Sequence, residues 1–519
     1  MLAPAIKLPM KYDMKKIRTL GQLKAAGYKS KSVKEEMRDN LIDALKKKHN
    51  PFTGIKGFED SVIPQLQTAI LAKHNIILLG LRGQAKTRIA RMMTHLLDEY
   101  MPVIAFSELN DDPLKPLSRF AIDAIDENGD STPIQWIHRD ERYTEKLATP
   151  DVSVSDLIGD VDPIKAAALK LTYADERVIH FGLIPRSHRG IFVINELPDL
   201  QARIQVALFN MLQEGDIQIR GFKLRLPLDI QFVFTANPED YTNRGSIVTP
   251  LKDRIDSQIL THYPKTIDIS KEITAQEANI STHQRKHVHI DDLLSILIEE
   301  IAFQARQSEF VDQKSGVSAR MTISAMENLF SYAERRMFIN GEKDTFARLS
   351  DLYAVIPSIT GKVELVYEGE LEGIANVAYF LIGKAIRSEF THIFPNPEKL
   401  KKDKKKENIY APIIAWFGEG NKIDILNEMT HEAYEQTLLS IPGLKGLVEK
   451  QVPTASAEQQ LLLMEFVLNG LAEFSQLSKN KLDQHMQFND LVGSMFDINK
   501  PNEEDDEDEQ GDDFGFSNN

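Results

Sequence analysis

The tightest constraint on this chain lies between Asn75 and Thr87. Four apolar residues, 76–79, pass without a spacer into Gly80-Leu81-Arg82-Gly83-Gln84-Ala85-Lys86-Thr87, and a helix-period segment, 87–100, begins at its end. The apolar run predicts a buried strand and the segment behind it a helix. Glycines between the two let the backbone curl so that its N–H groups point inward. The helix start adds the positive end of its dipole. Such a loop suits a polyphosphate: Lys86 supplies a point charge for the β- and γ-phosphates and the Thr87 hydroxyl a ligand for Mg2+. Gly80, Gly83, Gln84, Ala85 and Arg88 complete the set expected to line the nucleotide. The usual pattern has glycine before the lysine, and here Ala85 takes that place.

From residue 58 to about 264 short apolar runs (76–79, 103–106, 191–194, 232–234) alternate with longer amphipathic segments such as 87–100 and 200–214. Buried strands alternating with helices predict an α/β fold with a parallel, doubly wound sheet. From about residue 267 the strands stop. Segments 291–306, 322–338, 344–356 and 371–390 carry apolar residues at helical spacing. The expected organisation is a polar N-terminal helical leader (1–50), an α/β nucleotide-binding domain (51–265), a helical lid (266–395) and a C-terminal helical region (396–498). The best helices of that last region are 423–439 and 455–477. The lysine-rich stretch 399–406 that precedes it reads as a solvated loop.

The formal charge of −15 is concentrated at the end of the chain. Residues 500–519 hold nine acids and one lysine and read as a disordered acidic tail (499–519). The remaining −7 is mild, so no strong preference for nucleic acid is expected. There is no cysteine, which excludes disulfides, thiolate metal sites and thiol nucleophiles. Neither a membrane-spanning run nor a signal-peptide core is present, and a cytoplasmic protein is expected.

A second site motif follows the loop by about a hundred residues. Gly190-Ile191-Phe192-Val193-Ile194-Asn195-Glu196 reads as a buried strand ending in a polar pair. Ligands of open α/β sheets bind at the carboxyl ends of the strands. A carboxylate there can polarise an attacking water, which makes Glu196 the candidate catalytic base. The preceding residue is normally an aspartate that helps hold Mg2+. Here it is Asn195, whose amide can accept a hydrogen bond but brings no charge. Slower hydrolysis or weaker Mg2+ handling is expected, with nucleotide binding kept.

With both motifs in order, the chain resembles the AAA+ ATPases, within them the branch of the MoxR proteins and magnesium-chelatase I subunits. Ala85 before Lys86 is common in MoxR-like loops. Residues 149–159, TPDVSVSDLIG, resemble the segment around that branch's helix-2 insertion. Residues 215–226, alternating on both sides of Gly221, resemble its pre-sensor-1 hairpin. The resemblance implies further roles. Asn237, in Phe232-Val233-Phe234-Thr235-Ala236-Asn237, would be the sensor-1 residue that orients the attacking water. Arg254, in Pro250-Leu251-Lys252-Asp253-Arg254, would be an arginine finger reaching a neighbouring subunit's nucleotide. Arg320, after Gly316-Val317-Ser318-Ala319, would be the sensor-2 arginine of the lid. The likeness covers roughly residues 50–340.

The same resemblance implies an AAA+ P-loop parallel sheet flanked by helices, followed by a helical lid and further C-terminal helices. It implies a ring, usually a hexamer, that hydrolyses ATP with Mg2+ between subunits and remodels a partner protein or inserts a metal or cofactor. The usual partner in this branch carries a von Willebrand factor A-type domain. Magnesium chelation itself is not favoured, because Ala85 and the long unmatched C-terminal half differ from the I subunit. Two alternatives stay open: a nucleotide-bound scaffold with little turnover, and a nucleic-acid motor using Arg220, Lys223 and Arg225 of the hairpin. Arg189 reads as a surface-paired loop arginine, with an inter-subunit role as the lesser reading.

Overall fold

The computed structural model describes residues 16–172, 175–219, 225–238, 246–402, 408–482 and 485–491. The chain divides into two compact units, Met1–Ile273 with Gln313–Ala319, and Thr274–Asp312 with Arg320–Asn519.

The first unit is built on five parallel strands: β1 (Ile76–Leu79), β2 (Tyr143–Leu147), β3 (Gly190–Asn195), β4 (Ile230–Ala236) and β5 (Ser257–Leu260). Their spatial order is β5-β1-β4-β3-β2. β1, β3 and β4 are buried at every residue. That is why their sequences are continuous apolar runs: helices cover both faces of a parallel sheet. Successive side chains alternate between the faces. Ile76 and Leu78 join one core with Val193 and Val233, whereas Ile77 and Leu79 join the other with Phe192, Ile194 and Phe234.

Helix α1 (Val33–Lys46) belongs to the first of these cores. Ser32 caps it in a reciprocal box with Glu35, and Val33, Met37 and Leu41, four residues apart, are buried against Leu66, Ile89 and Ile191. Helix α2 (Val62–Leu71) and helix α3 (Lys86–Met92) complete that layer, α3 running on as a 3-10 turn, Met93–Leu96.

Two features of the sheet differ from the sequence expectation. The run at 103–106 is not a strand of the parallel sheet. Tyr100–Ile104 pairs antiparallel with Ile134–His138 in a separate ribbon. The edge position is held instead by β2, Tyr-Thr-Glu-Lys-Leu, none of whose residues is fully buried. An edge strand covered on one side needs no apolar run, so periodicity did not mark it. The region before β3 carries an inserted unit: Gly159–Val161 and Ile179–Phe181 pair antiparallel, with helix Pro163–Leu169 between them. A hairpin precedes β4, Asp216–Gln218 against Arg225–Pro227. Its tip, with Arg220 and Lys223, lies outside the described residues.

The second unit is mostly helical, as expected. Its longest helices are α4 (Asp292–Ala305), α5 (Arg320–Asn340), α6 (Ile374–Ile393) and α7 (Ala457–Glu473). Strands do not stop at 267, however. Val288–His289 pairs with Thr345–Phe346, inside the expected helix 344–356. β6 (Ile423–Leu426), β7 (Ser478–Leu482) and β8 (His485–Asn489) form an antiparallel sheet in the order β6-β8-β7. The stretch 423–439 is therefore strand first. Ile423 and Ile425 are buried in alternation, and a helix starts only at His431, where the Thr430 hydroxyl accepts the Ala433 N–H. Among the described residues no helix is long and apolar enough to cross a membrane.

Candidate functional site

The register of the sheet brings the sequence motifs to one edge. Leu79 lies opposite Ala236, and Phe234 opposite Ile194. Gly80, the Asn195–Glu196 pair and Asn237 thus leave the carboxyl ends of β1, β3 and β4 side by side. Open parallel sheets bind their ligands at this end.

The loop after β1 is held by close contacts. Gly80 N–H donates to the Ala236 carbonyl at 3.1 Å. A β-carbon on Gly80 would lie 2.0 Å from Thr261 Oγ1 and 2.2 Å from Gln84 Oε1, and one on Gly83 would lie 2.2 Å from Ser318 Oγ. Both positions therefore require glycine. Gln84 is buried, and its Oε1 accepts from Thr261 Oγ1 at 2.7 Å. Ala85 stands at the N-cap of α3 in the left-handed region, φ 55° and ψ 16°. A side chain there costs about 1–2 kcal/mol, which explains why glycine is usual and shows that alanine is tolerated. Lys86 is buried, its Nζ donating to the Gly80 carbonyl and, at 2.9 Å, to that of Leu81. Arg88 sits half-buried in the first turn of α3.

Asn195 is buried and joins three elements. Its Oδ1 accepts from Thr87 Oγ1 at 3.4 Å and from Thr235 Oγ1 at 3.1 Å. Its Nδ2 donates to Glu145 Oε1 on β2 at 2.6 Å. The other Glu145 oxygen accepts from Arg91 Nε at 2.9 Å and from the Tyr143 hydroxyl at 3.0 Å. Burial, then the Glu145 charge, pushes the Tyr143 hydroxyl far above its ordinary pKa, so it stays a donor. Glu196 is half-buried and also left-handed, φ 54° and ψ 53°, its N–H donating to Thr235 Oγ1 at 3.2 Å. Strained backbone of this kind clusters at functional sites. Asn237 is buried next to Ala236.

Thr87, Asn195, Glu196, Lys86 and Asn237 are thus gathered, and two arginines were expected to join them. Arg254 follows the short helix Thr249–Asp253, half-buried, with Nε on Gln213 Oε1 at 3.0 Å and Nη1 on the Pro250 carbonyl at 2.8 Å. Its guanidinium lies 5.2 Å from the Phe209 ring centroid. Arg320 begins helix α5 of the second unit and is exposed. Sequence reasoning missed Glu145, Tyr143 and Arg91. Their only signal was a carboxylate near the end of a weakly patterned strand.

Arg189 is not a surface residue. It is buried, donating to the carbonyls of Pro102 at 2.9 Å and Asn110 at 3.3 Å, with Asp112 Oδ2 at 3.5 Å. Burial there pushes its neighbour His188 down to about 4. Nearby Asp229 is pushed up to about 6 by burial, although its Oδ2 accepts the Val33 N–H at 2.7 Å. Unfolded, that carboxyl ionises near 3.8. The folded protein therefore keeps a proton that the unfolded chain has lost, and stability falls as pH rises through that window, by up to about 3 kcal/mol. Asp229→Asn keeps an acceptor for Val33 and removes the charge. Thermal denaturation is expected to show a higher Tm than wild type at about pH 8 and no gain below about pH 4. A lower Tm at the higher pH would contradict this assignment.

A glycine loop after the first strand of a parallel sheet in this order, with an inserted unit ahead of β3 and a hairpin ahead of β4, defines an AAA+ α/β fold. No family model matches the chain. Among curated proteins it is similar to the magnesium-chelatase 38 kDa subunit of Cereibacter sphaeroides, 25% identical over 247 residues, covering 46% of this chain and 66% of that one. The same subunit of Rhodobacter capsulatus is 25% identical over 227 residues, covering 43% and 59%. The match therefore spans slightly under two thirds of these relatives. The chain is homologous to them, in keeping with the MoxR and magnesium-chelatase branch of AAA+ proteins. Similar solved structures include the complex between subunits BchI and BchD of magnesium chelatase (17% identity, 62% of this chain and 98% of that one, TM-score 0.32). Another is RuvB of Thermotoga maritima (13%, 75% and 97%, TM-score 0.34). At these scores the structures add nothing to what the sheet order and sequence match establish.

Proposed function

We propose that this chain binds ATP with Mg2+ and hydrolyses it at the subunit interfaces of a ring, a hexamer in the simplest case, to remodel a partner protein or drive insertion of a metal or cofactor. The observation that carries this reading is the gathering of Lys86, Thr87, Asn195, Glu196 and Asn237 around one glycine loop at the carboxyl ends of β1, β3 and β4. Lys86 would exchange its loop carbonyls for phosphate oxygens. Glu196 would take the proton of the attacking water and Asn237 would orient that water. Arg254 would serve the neighbouring subunit, and Arg320 the phosphates from the helical unit.

Among the described residues no group of three His, Cys, Asp or Glu side chains could hold a metal. The donors beside the loop are oxygens, the Thr87 hydroxyl and the Asn195 carbonyl. An all-oxygen set with few protein ligands fits Mg2+, which takes its other ligands from phosphates and water. When bound with nucleotide, Mg2+ would offset phosphate charge. The proposed partner is a second protein carrying a von Willebrand factor A-type domain, the kind that the family resemblance implies.

Purified protein tests this directly. Lys86→Ala is expected to weaken ATP binding about 100-fold, the loss of one strong charge-assisted contact, with the fold checked by its Tm. Glu196→Gln should bind ATP as wild type does and lose about 10²–10⁴ in turnover. Asn195 favours a second reading, a nucleotide-bound scaffold. A wild type that binds ATP yet hydrolyses it no faster than Glu196→Gln would be that scaffold.

A further inference from the structure

Asn195 removes a negative charge from the place where the resembling proteins carry an aspartate, but a carboxylate stands 2.6 Å from its side chain. Glu145 reaches it from β2, where Leu147 is the register partner of Asn195 and Glu145 projects on the same face two residues earlier. A carboxylate only accepts hydrogen bonds. The Asn195 Nδ2 must therefore face Glu145, and its Oδ1 must face the other way. That oxygen is the one on which Thr87 Oγ1 (3.4 Å) and Thr235 Oγ1 (3.1 Å) converge. Glu145 is itself fixed, by Arg91 Nε on α3 at 2.9 Å and by the Tyr143 hydroxyl at 3.0 Å.

We propose that Glu145 is a positioning residue of the Mg2+–nucleotide site: Glu145 and Asn195 together do the work of one aspartate, the amide presenting an oxygen beside Thr87 and the carboxylate behind it holding that amide and supplying the charge. This rests on the nucleotide-binding reading above and deepens it. Its consequence runs against the simple expectation for the site. Asn195→Asp does not restore a missing acid. It sets a second carboxylate against Glu145 at hydrogen-bond distance, where two like charges repel unless the pair takes up a proton. The exchange Glu145→Gln with Asn195→Asp does restore a donor–acceptor pair, with the charge moved one strand inward.

Two measurements on the full chain test the pairing: the Tm of the nucleotide-free protein, and ADP binding as Mg2+ is titrated. Asn195→Asp is expected to lower the Tm by several degrees. Glu145→Gln, whose single oxygen can serve either Asn195 or the Arg91 and Tyr143 donors but not both, should also lower the Tm, and should raise the half-saturating Mg2+ about tenfold. The double exchange should return the Tm to within a degree or two of wild type and Mg2+ dependence to the wild-type range. The inference is overturned if Asn195→Asp alone keeps the Tm and tightens Mg2+ dependence, if Glu145→Gln leaves that dependence unchanged, or if the two substitutions add without coupling. Those results can all occur in a wild type that binds Mg2+ and ADP normally. Failure of the wild type to bind nucleotide would instead overturn the functional reading, and this inference with it.

Discussion

Arg254→Ala is expected to lower ATP turnover by about 10³–10⁵-fold, the worth of an arginine finger, while leaving ATP affinity within a few-fold of wild type. The effect should not come from unfolding. Arg254 is half-buried, and its partners are the Gln213 side chain, the Pro250 carbonyl and the Phe209 face. An exposed cation–π contact is worth about 1 kcal/mol at most, so the Tm should fall little. None of these partners belongs to the glycine loop or to β3. In the proposed finger role the guanidinium would act on a neighbour's nucleotide, which a mixing experiment can read. Lys86→Ala subunits keep the finger and lose the loop lysine; Arg254→Ala subunits keep the loop and lose the finger. Each alone should be inactive, and a mixture should recover part of the wild-type turnover. A mixture no more active than its parents, or full turnover by Arg254→Ala alone, would remove Arg254 from the catalytic site.

The largest effect on stability is expected from Arg142→Met. The Arg142 side chain is fully buried, its Nη1 and Nη2 lie 2.7 and 2.6 Å from the two oxygens of Glu36, and its Nε donates to the Arg189 carbonyl at 2.9 Å. Burial opposes its charge, but the Glu36 charge and hydrogen bonds outweigh that and raise its pKa. Methionine would leave Glu36 buried beside Asp98, whose own carboxyl burial already pushes up. Breaking such a pair costs about 3–5 kcal/mol, mostly the penalty of the charge left behind. Denaturant unfolding should show that loss. Glu36→Leu combined with Arg142→Met should cost less than Arg142→Met alone, because no orphan charge remains. A single substitution costing under about 1 kcal/mol, or simple addition of the two, would show that the pair is not buried as described. The pair also matters to the site. Arg142 immediately precedes β2, and Glu36 lies on α1, so together they anchor the strand that carries Glu145.

Much of the site was legible because its signals are local. A strand, a glycine loop and a helix start are contiguous, and each has its own period or residue type. The left-handed backbone at Ala85 follows from that contiguity, whereas the close approaches of Gly80 to Thr261 and of Gly83 to Ser318 are tertiary contacts. β3 and β4 were equally clear, since central parallel strands are buried on both faces and must be apolar throughout. β2 was not, because an edge strand can be polar. The small sheet of β6, β7 and β8 was hidden for a related reason: four residues of Ile-Asp-Ile-Leu fit a helix start as well as a strand, and only pairing with β8 decides.

Asn195 marks the boundary between the two kinds of information. The sequence alone determined that an amide ends the strand beside the glycine loop, and that a charge was missing from that residue. Where the charge went depended on register. Glu145 and Asn195 are fifty residues apart, brought within 2.6 Å by adjacent parallel strands. Arg189 was decided the same way, its burial set by the segments around Pro102 and Asn110 that close over it. Contacts set by strand register and by long crossovers leave no period in the chain, so only the tertiary structure could show them.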